Sequence, residues 1–219
     1  MSGGWLIAPY ALWMLLMTAL PSTTAMYAVR TAAVAALLLA MSLWVWRRQE
    51  TGQETRDERQ GSASCLASQV SFSSLVSRLL SSLPLSLFVG LAVFAIWILP
   101  EQFDFPFYRR FCILGEGGTV AVDQSPAWLL AVRLIGSAFV ISAAEELFFR
   151  KWLIKFAGFW WMVALFAIEH DRWLVGAIAG VAYGFLYLRK GLLGAIIAHA
   201  VTNLVLGLWV LGRAQWQFW

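Results

Sequence analysis

Seven apolar runs divide most of the chain between them, at Trp5 to Leu20, Met26 to Trp46, Leu83 to Leu99, Ala127 to Phe156, Phe159 to His170, Trp173 to Leu188 and Leu192 to Leu211. A bilayer-spanning helix needs roughly 20 predominantly apolar residues, and most of these runs approach that length. Inside lipid a segment must satisfy its own backbone polar groups, which leaves the α-helix as the regular form for runs of this kind. Pro21, Pro84, Pro100, Pro126, Gly158 and Gly191 all fall at the proposed helix boundaries, where a missing donor or a free backbone is tolerated. Only 13% of the residues are charged and 61% are hydrophobic, against about 25% charged in a soluble domain. Most of the chain therefore cannot face water. Its 219 residues hold roughly six to eight spans with short loops and leave no room for a separate soluble domain. The expectation is an all-α, polytopic membrane protein with a single domain over 1–219, divided into N-terminal helices in 1–126 and a C-terminal group of helices in 127–211.

The net charge of +4 forms no surface stripe suited to nucleic acid and reads as arginine and lysine flanking membrane spans. Counted in alternate loops, Arg47, Arg48, Arg56, Arg59, Arg78, Arg150, Lys151, Lys155, Arg189 and Lys190 share one side, and Arg109, Arg110, Arg172 and Arg213 share the other. That bias favours a cytoplasmic N-terminus and a cytoplasmic charged segment, 47–61. No Lys or Arg precedes the first run, so the basic region of a cleavable signal is missing and Trp5 onward is expected as a retained helix. Between Ser64 and Leu83, the residues Leu66, Val70, Leu75, Leu79, Leu80 and Leu83 recur at helical spacing and predict an interfacial amphipathic helix. Glu101 to Ser125 is expected to be an ordered loop, with Trp97, Phe103, Phe107 and Tyr108 at headgroup level. Cys65 and Cys112 lie far apart without metal or redox spacing and are expected to be structural.

An ionisable side chain at mid-bilayer costs about 3 kcal/mol or more, so each one inside a run calls for a partner or a function. Glu145, Glu146, Arg150, His170 and His199 are the set to explain, in the strings EELFFR (145–150), FAIEH (166–170) and HAVTN (199–203). Glu146 and Arg150 stand at i,i+4, about 40° apart around a helix, whereas Glu145 is turned about 100° from Glu146. A structural ion pair between Glu146 and Arg150 leaves Glu145 free, although one buried cluster of all three charges explains the string as well. His199 and Asn203 also stand at i,i+4 and face one neighbour. Taken alone they could be interhelical glue, at about 0.6 kcal/mol per bond.

Depth favours a common site. Glu145 and His170 are equidistant from the turn near Gly158, roughly 18 Å along an antiparallel hairpin, and His199 lies roughly 14 Å from the turn near Gly191 on the same side. His170 and His199 are also the only two histidines in the chain. A carboxylate, two imidazoles and an amide suit hydrolysis: Glu145 takes a proton from water, a histidine shares it, and another histidine with Asn203 donates to the oxyanion. Glu145, His170 and His199 could equally ligate zinc, though the compact His-Glu-x-x-His string is absent.

The three strings, in this order, resemble the motifs of the CAAX protease and bacteriocin-processing family, whose members include the type II CAAX prenyl endopeptidases. The resemblance covers Arg133 to Leu211, and the final stretch GLWVLGRAQWQFW is similar to a bacterial subfamily associated with exosortase protein sorting. It implies about eight membrane helices around a polar cavity, an intramembrane glutamic endopeptidase without metal or cofactor, and a membrane-embedded or lipidated polypeptide as substrate, in a bacterial inner membrane. By motif position Glu145 and His199 would activate water, while His170 and Asn203 would form the oxyanion pocket. Two features depart from the family pattern: Lys151 stands where glycine is frequent, and only 24 residues separate Glu145 from His170, which shortens the fifth helix. A non-catalytic scaffold or immunity protein, and a proton relay, are the readings from other classes.

Overall fold

The computed structural model describes residues 3–57, 72–113 and 124–218. All regular structure in these residues is helical. A 3-10 turn, Gly3–Ile7, leads into α1, Ala8–Ala19, and α2 follows at Thr24–Asp57. The carbonyls at the end of α1 have no partner within their own helix. Arg30 of α2 supplies one: its Nε donates to Leu16 O at 3.0 Å and its Nη2 to Leu20 O and, at 2.7 Å, to Pro21 O. This cation at a helix C-terminus is 2% exposed, and its role depends on the fold of the α1–α2 turn and not on any spacing within its own run.

The third helix, α3 at Phe72–Gln102, contains Pro84 and Pro100 inside it. Both had been expected at boundaries. A proline removes one donor and displaces the carbonyls of the preceding turn, and near Pro84 other side chains bind that backbone. Lys190 Nζ donates to Ser81 O at 3.2 Å, and Ser86 Oγ to Ser82 O at 2.9 Å. The expected separate interfacial helix is therefore part of α3 from Phe72 onward, and its residues 64–71, with Cys65, lie outside the described residues. The charged segment after Arg47 is a continuation of α2 as far as Asp57.

A short helix, α4 at Pro106–Phe111, occupies part of the expected loop. Its Tyr108 is buried with Cys112 and Val175, while Phe103 and Phe107 are exposed. The long helix α5, Ala127–Ala157, ends at Gly158, and α6, Phe159–Ile168, returns beside it. Helix α7, Trp173–Arg213, is broken at Gly191. Gly158 and Gly191 have φ of 87° and 76°, a region that glycine enters without the Cβ penalty. Both were boundaries in the sequence reading.

α3 packs closely against the limb of α7 beyond Gly191. A Cβ on Gly90 would lie 2.5 Å from the Ala198 carbonyl oxygen, so the two backbones touch where a small residue permits it. The principal core lies where α3, α5, α6 and α7 meet and includes Val93, Phe149, Met162, Phe166 and Tyr183. Among the described residues four helices are long and apolar enough to cross a membrane: Thr24–Arg47, Leu80–Gln102, Ala127–Ala157 and Trp173–Arg213. The all-α membrane fold holds, and beside these four helices, of which α7 is broken at Gly191, the described residues contain two shorter apolar helices, Gly4–Ala19 and Phe159–Ile168. The 10 residues of α6 make about 15 Å of helix, half the hydrocarbon thickness of about 30 Å.

Candidate active site

The glutamates sit on the least regular part of the molecule. Within α5 a single α-helical stretch, Ser142–Glu146, lies between two π-helical segments, Gly136–Ile141 and Leu147–Leu153. Such wide turns are rare and concentrate at functional sites. Here they set two consecutive glutamates around one imidazole. Glu146 Oε1 accepts from His199 Nδ1 at 2.9 Å, while Glu145 Oε2 lies 3.7 Å from His199 Nε2.

Glu146 and Arg150 form the ion pair read from their spacing, with Nη1 and Oε1 3.1 Å apart and both side chains fully buried. The guanidinium is also held on aromatic faces, 4.1 Å from the Phe166 centroid and 5.5 Å from that of Tyr183, an arrangement favoured for a desolvated cation. Glu146 does more than neutralise Arg150. Because a carboxylate accepts, its bond to Nδ1 places the proton of neutral His199 there and leaves Nε2 as an acceptor facing Glu145.

His170 lies in the turn between α6 and α7. Its Nδ1 is 2.7 Å from Phe166 O, a carbonyl that can only accept, so Nε2 again carries the lone pair. Burial holds this imidazole down to about 4, against the pull of the Phe166 carbonyl, which keeps it neutral at ordinary pH. Its neighbour Glu169 is pushed up to about 7 by burial, with the Tyr10 hydroxyl and Arg150 opposing the shift. Glu169 was not among the candidate residues.

Glu145, His170, His199 and Asn203 line a single cavity of about 240 Å³. Glu146 and Arg150 stand behind its wall. The remaining lining residues include Trp13, Trp97, Ser137, Tyr183, Thr202 and Phe218. Trp97 meets His170 with ring centroids 5.4 Å apart. Tyr183 stacks on His199 at 4.9 Å and its hydroxyl donates to Thr202 Oγ1 at 2.6 Å. Thr202 Oγ1 is also 2.8 Å from Gly90 O, which fastens the histidine-bearing limb to α3. Phe218 comes from the 3-10 turn Trp216–Phe218 and lies under the Arg172 guanidinium at 4.6 Å. Arg172 in turn pairs with Glu101.

The Asn203 amide is engaged by α5. Its Nδ2 donates to Ser137 O at 3.2 Å and to Ser142 Oγ at 3.0 Å. The two serines are five residues apart, a spacing that carries no signal in an α-helix and becomes one turn only in the π-helical segment. Among the described residues no three His, Cys, Asp or Glu side chains are grouped to hold a metal ion.

The fold and the cavity define a helical membrane protein with a buried glutamate, two imidazoles and an amide at one polar site. Residues 126–205, which contain all three motifs, match the family model described as Type II CAAX prenyl endopeptidase Rce1-like. That stretch of the chain is similar to this family, in agreement with the order of the three motifs. No curated protein and no solved structure matches the chain.

Proposed function

We propose that the protein is an intramembrane endopeptidase in which Glu145 and the histidines activate water for hydrolysis of a peptide bond. The observation that carries this reading is the cavity itself, where Glu145, His170, His199 and Asn203 meet while both Nδ1 atoms are held by fixed acceptors. Neutral imidazoles with free Nε2 atoms and an adjacent carboxylate are proton acceptors, which is what bound water needs to become a nucleophile. Water attacks the substrate carbonyl carbon as its proton passes to Glu145. Shared with His199 Nε2, 3.7 Å from Glu145 Oε2, that same proton makes the ring nitrogen a donor that can stabilise the oxyanion. Collapse of the tetrahedral intermediate breaks the C–N bond, and the proton on Glu145 goes to the leaving amine. Glu146 and Arg150 hold His199 in register and take no part in bond making.

The substrate in this reading is a membrane-embedded or lipidated polypeptide, reached from the bilayer or its surface, in a bacterial inner membrane with the N-terminus of the chain in the cytoplasm. A client of an exosortase-type sorting system is the narrower expectation carried by the final residues. The test is proteomics of membrane-protein termini in cells producing the wild-type chain or Glu145→Ala. New termini that depend on Glu145 support the peptidase, and identical termini in both strains overturn it.

A further inference from the structure

A peptide bond enters a site together with the side chains that flank it. The cavity that holds Glu145, His170, His199 and Asn203 has a volume of about 240 Å³, below the roughly 300–1,000 Å³ usual for ligand pockets. What lines it therefore decides what fits. Three of its lining residues, Trp97, Leu206 and Phe218, also pack in one apolar cluster with Ile98 and Val210. They form an apolar wall, which meets the polar groups where Trp97 touches His170. Trp97 belongs to α3 and Leu206 to α7, whereas Phe218 comes from the 3-10 turn Trp216–Phe218. The chain reverses at Ala214, a non-glycine residue with φ of 54°, and so brings Phe218 back to the cluster that contains Leu206. Side chains then fix the turn. Gln215 Oε1 accepts from Trp209 Nε1 at 2.7 Å and from Gln102 Nε2 at 3.0 Å. The Arg172 guanidinium lies 4.6 Å from the Phe218 centroid and pairs with Glu101. Glu101 stands one turn beyond Trp97 on α3, and Arg172 follows closely on His170. The ion pair thus holds the Phe218 ring against the two elements that carry Trp97 and His170.

We propose that Phe218 is a specificity-determining residue, whose ring completes the apolar wall of the cavity and limits the size of the apolar side chain that can lie beside the scissile bond. The inference rests on the peptidase reading above and deepens it. Phe218 lies outside residues 126–205, the stretch similar to the family, so the limit belongs to this chain's own turn. The hydrogen bonds that hold His170, His199 and Asn203 do not involve Phe218. Its replacement therefore alters the room at the site and leaves the bond-making groups in place.

Two measurements decide the matter. In the first, membrane-protein termini are compared between cells producing the wild-type chain, Phe218→Ala or Phe218→Trp, and only termini that disappear with Glu145→Ala are counted. Phe218→Ala is expected to raise the share of bulky over small side chains flanking the cut by about 10-fold, the scale on which an apolar pocket separates side chains by size. Phe218→Trp should shift the share the other way. Phe218→Leu, a milder truncation, replaces Phe218→Ala if alanine prevents folding. The same flanking residues in wild type and variants overturn the proposal. The second measurement needs no cleavage. Leu206→Cys places a thiol in the same apolar wall, and its labelling by N-methylmaleimide and N-phenylmaleimide is followed by mass spectrometry on the peptide that carries it. Both reagents meet one thiol, so the ratio of their rates reports room and not reactivity. Adding Phe218→Ala should favour the phenyl reagent by about 10-fold over its ratio with Phe218 present. An unchanged ratio, or no labelling by either reagent after Phe218→Ala, overturns the proposal. If the wild type yields no termini that depend on Glu145, the peptidase reading fails, while the labelling ratio still decides whether Phe218 limits the cavity.

Discussion

Two adjacent glutamates have different partners, and their removal should have different consequences. Glu145 faces the cavity, and its Oε2 has no hydrogen-bond partner, so Glu145→Ala is expected to reduce cleavage by about 10²- to 10⁴-fold with an unaltered melting temperature. Loss of folded protein in this variant would contradict the assignment. Glu146 is bound to both Arg150 and His199. Glu146→Ala leaves a buried cation unpaired and is expected to destabilise by about 3–5 kcal/mol, read as a lowered melting temperature in detergent. Activity should fall with it, because Nδ1 of His199 loses the acceptor that fixes its tautomer. His170 adds a pH dependence. Its folded value near 4 lies below the ordinary 6.5, so between these values the unfolded chain binds the proton more readily. Stability is therefore expected to drop as pH falls from 6.5 toward 4, and less so in His170→Gln, in thermal melts across that range.

At the scale of elements, the contact between α3 and the second limb of α7 sets the depth of His199. Gly90 allows that contact, and the Cβ of an alanine there would come within 2.5 Å of Ala198 O. Gly90→Ala is expected to cost about 1–3 kcal/mol and to lower activity, because Ala198 adjoins His199. A variant with wild-type melting temperature and turnover would show that the helices separate without consequence. The irregular winding of α5 has a comparable role. It presents Glu145 and Glu146 to opposite nitrogens of one ring and draws Ser137 and Ser142 to one amide.

For the whole molecule, the donors that a metal would need are partly committed to the protein, since Glu146 holds His199 Nδ1 and Phe166 O holds His170 Nδ1. The glutamate mechanism predicts that purified enzyme keeps its activity in a strong chelator and that elemental analysis finds no zinc in proportion to activity. One tightly bound equivalent whose removal and return track turnover would establish a metalloprotease instead. The cavity wall also depends on distant parts of the chain: Trp13 from α1, Trp97 from α3 and Phe218 from the C-terminal turn all line it.

What the sequence by itself determined is the helical membrane class and the glycine breaks at 158 and 191, with the pairing of Glu146 and Arg150 as one of the two readings that the i,i+4 spacing allows. These follow from local rules, namely the apolar length of a run, the backbone freedom of glycine and the i,i+4 geometry of one helix. Only the tertiary structure decided the rest. Pro84 and Pro100 sit inside a helix, and beside Pro84 it is Lys190 of another helix that binds the Ser81 carbonyl of the preceding turn. Trp97 lines the cavity beside His170, a contact that joins α3 to the turn between α6 and α7. Glu146 acquired His199 as a second partner, and the Asn203 amide was turned toward Ser137 and Ser142, because π-helical turns in α5 place side chains where the regular 100° step does not.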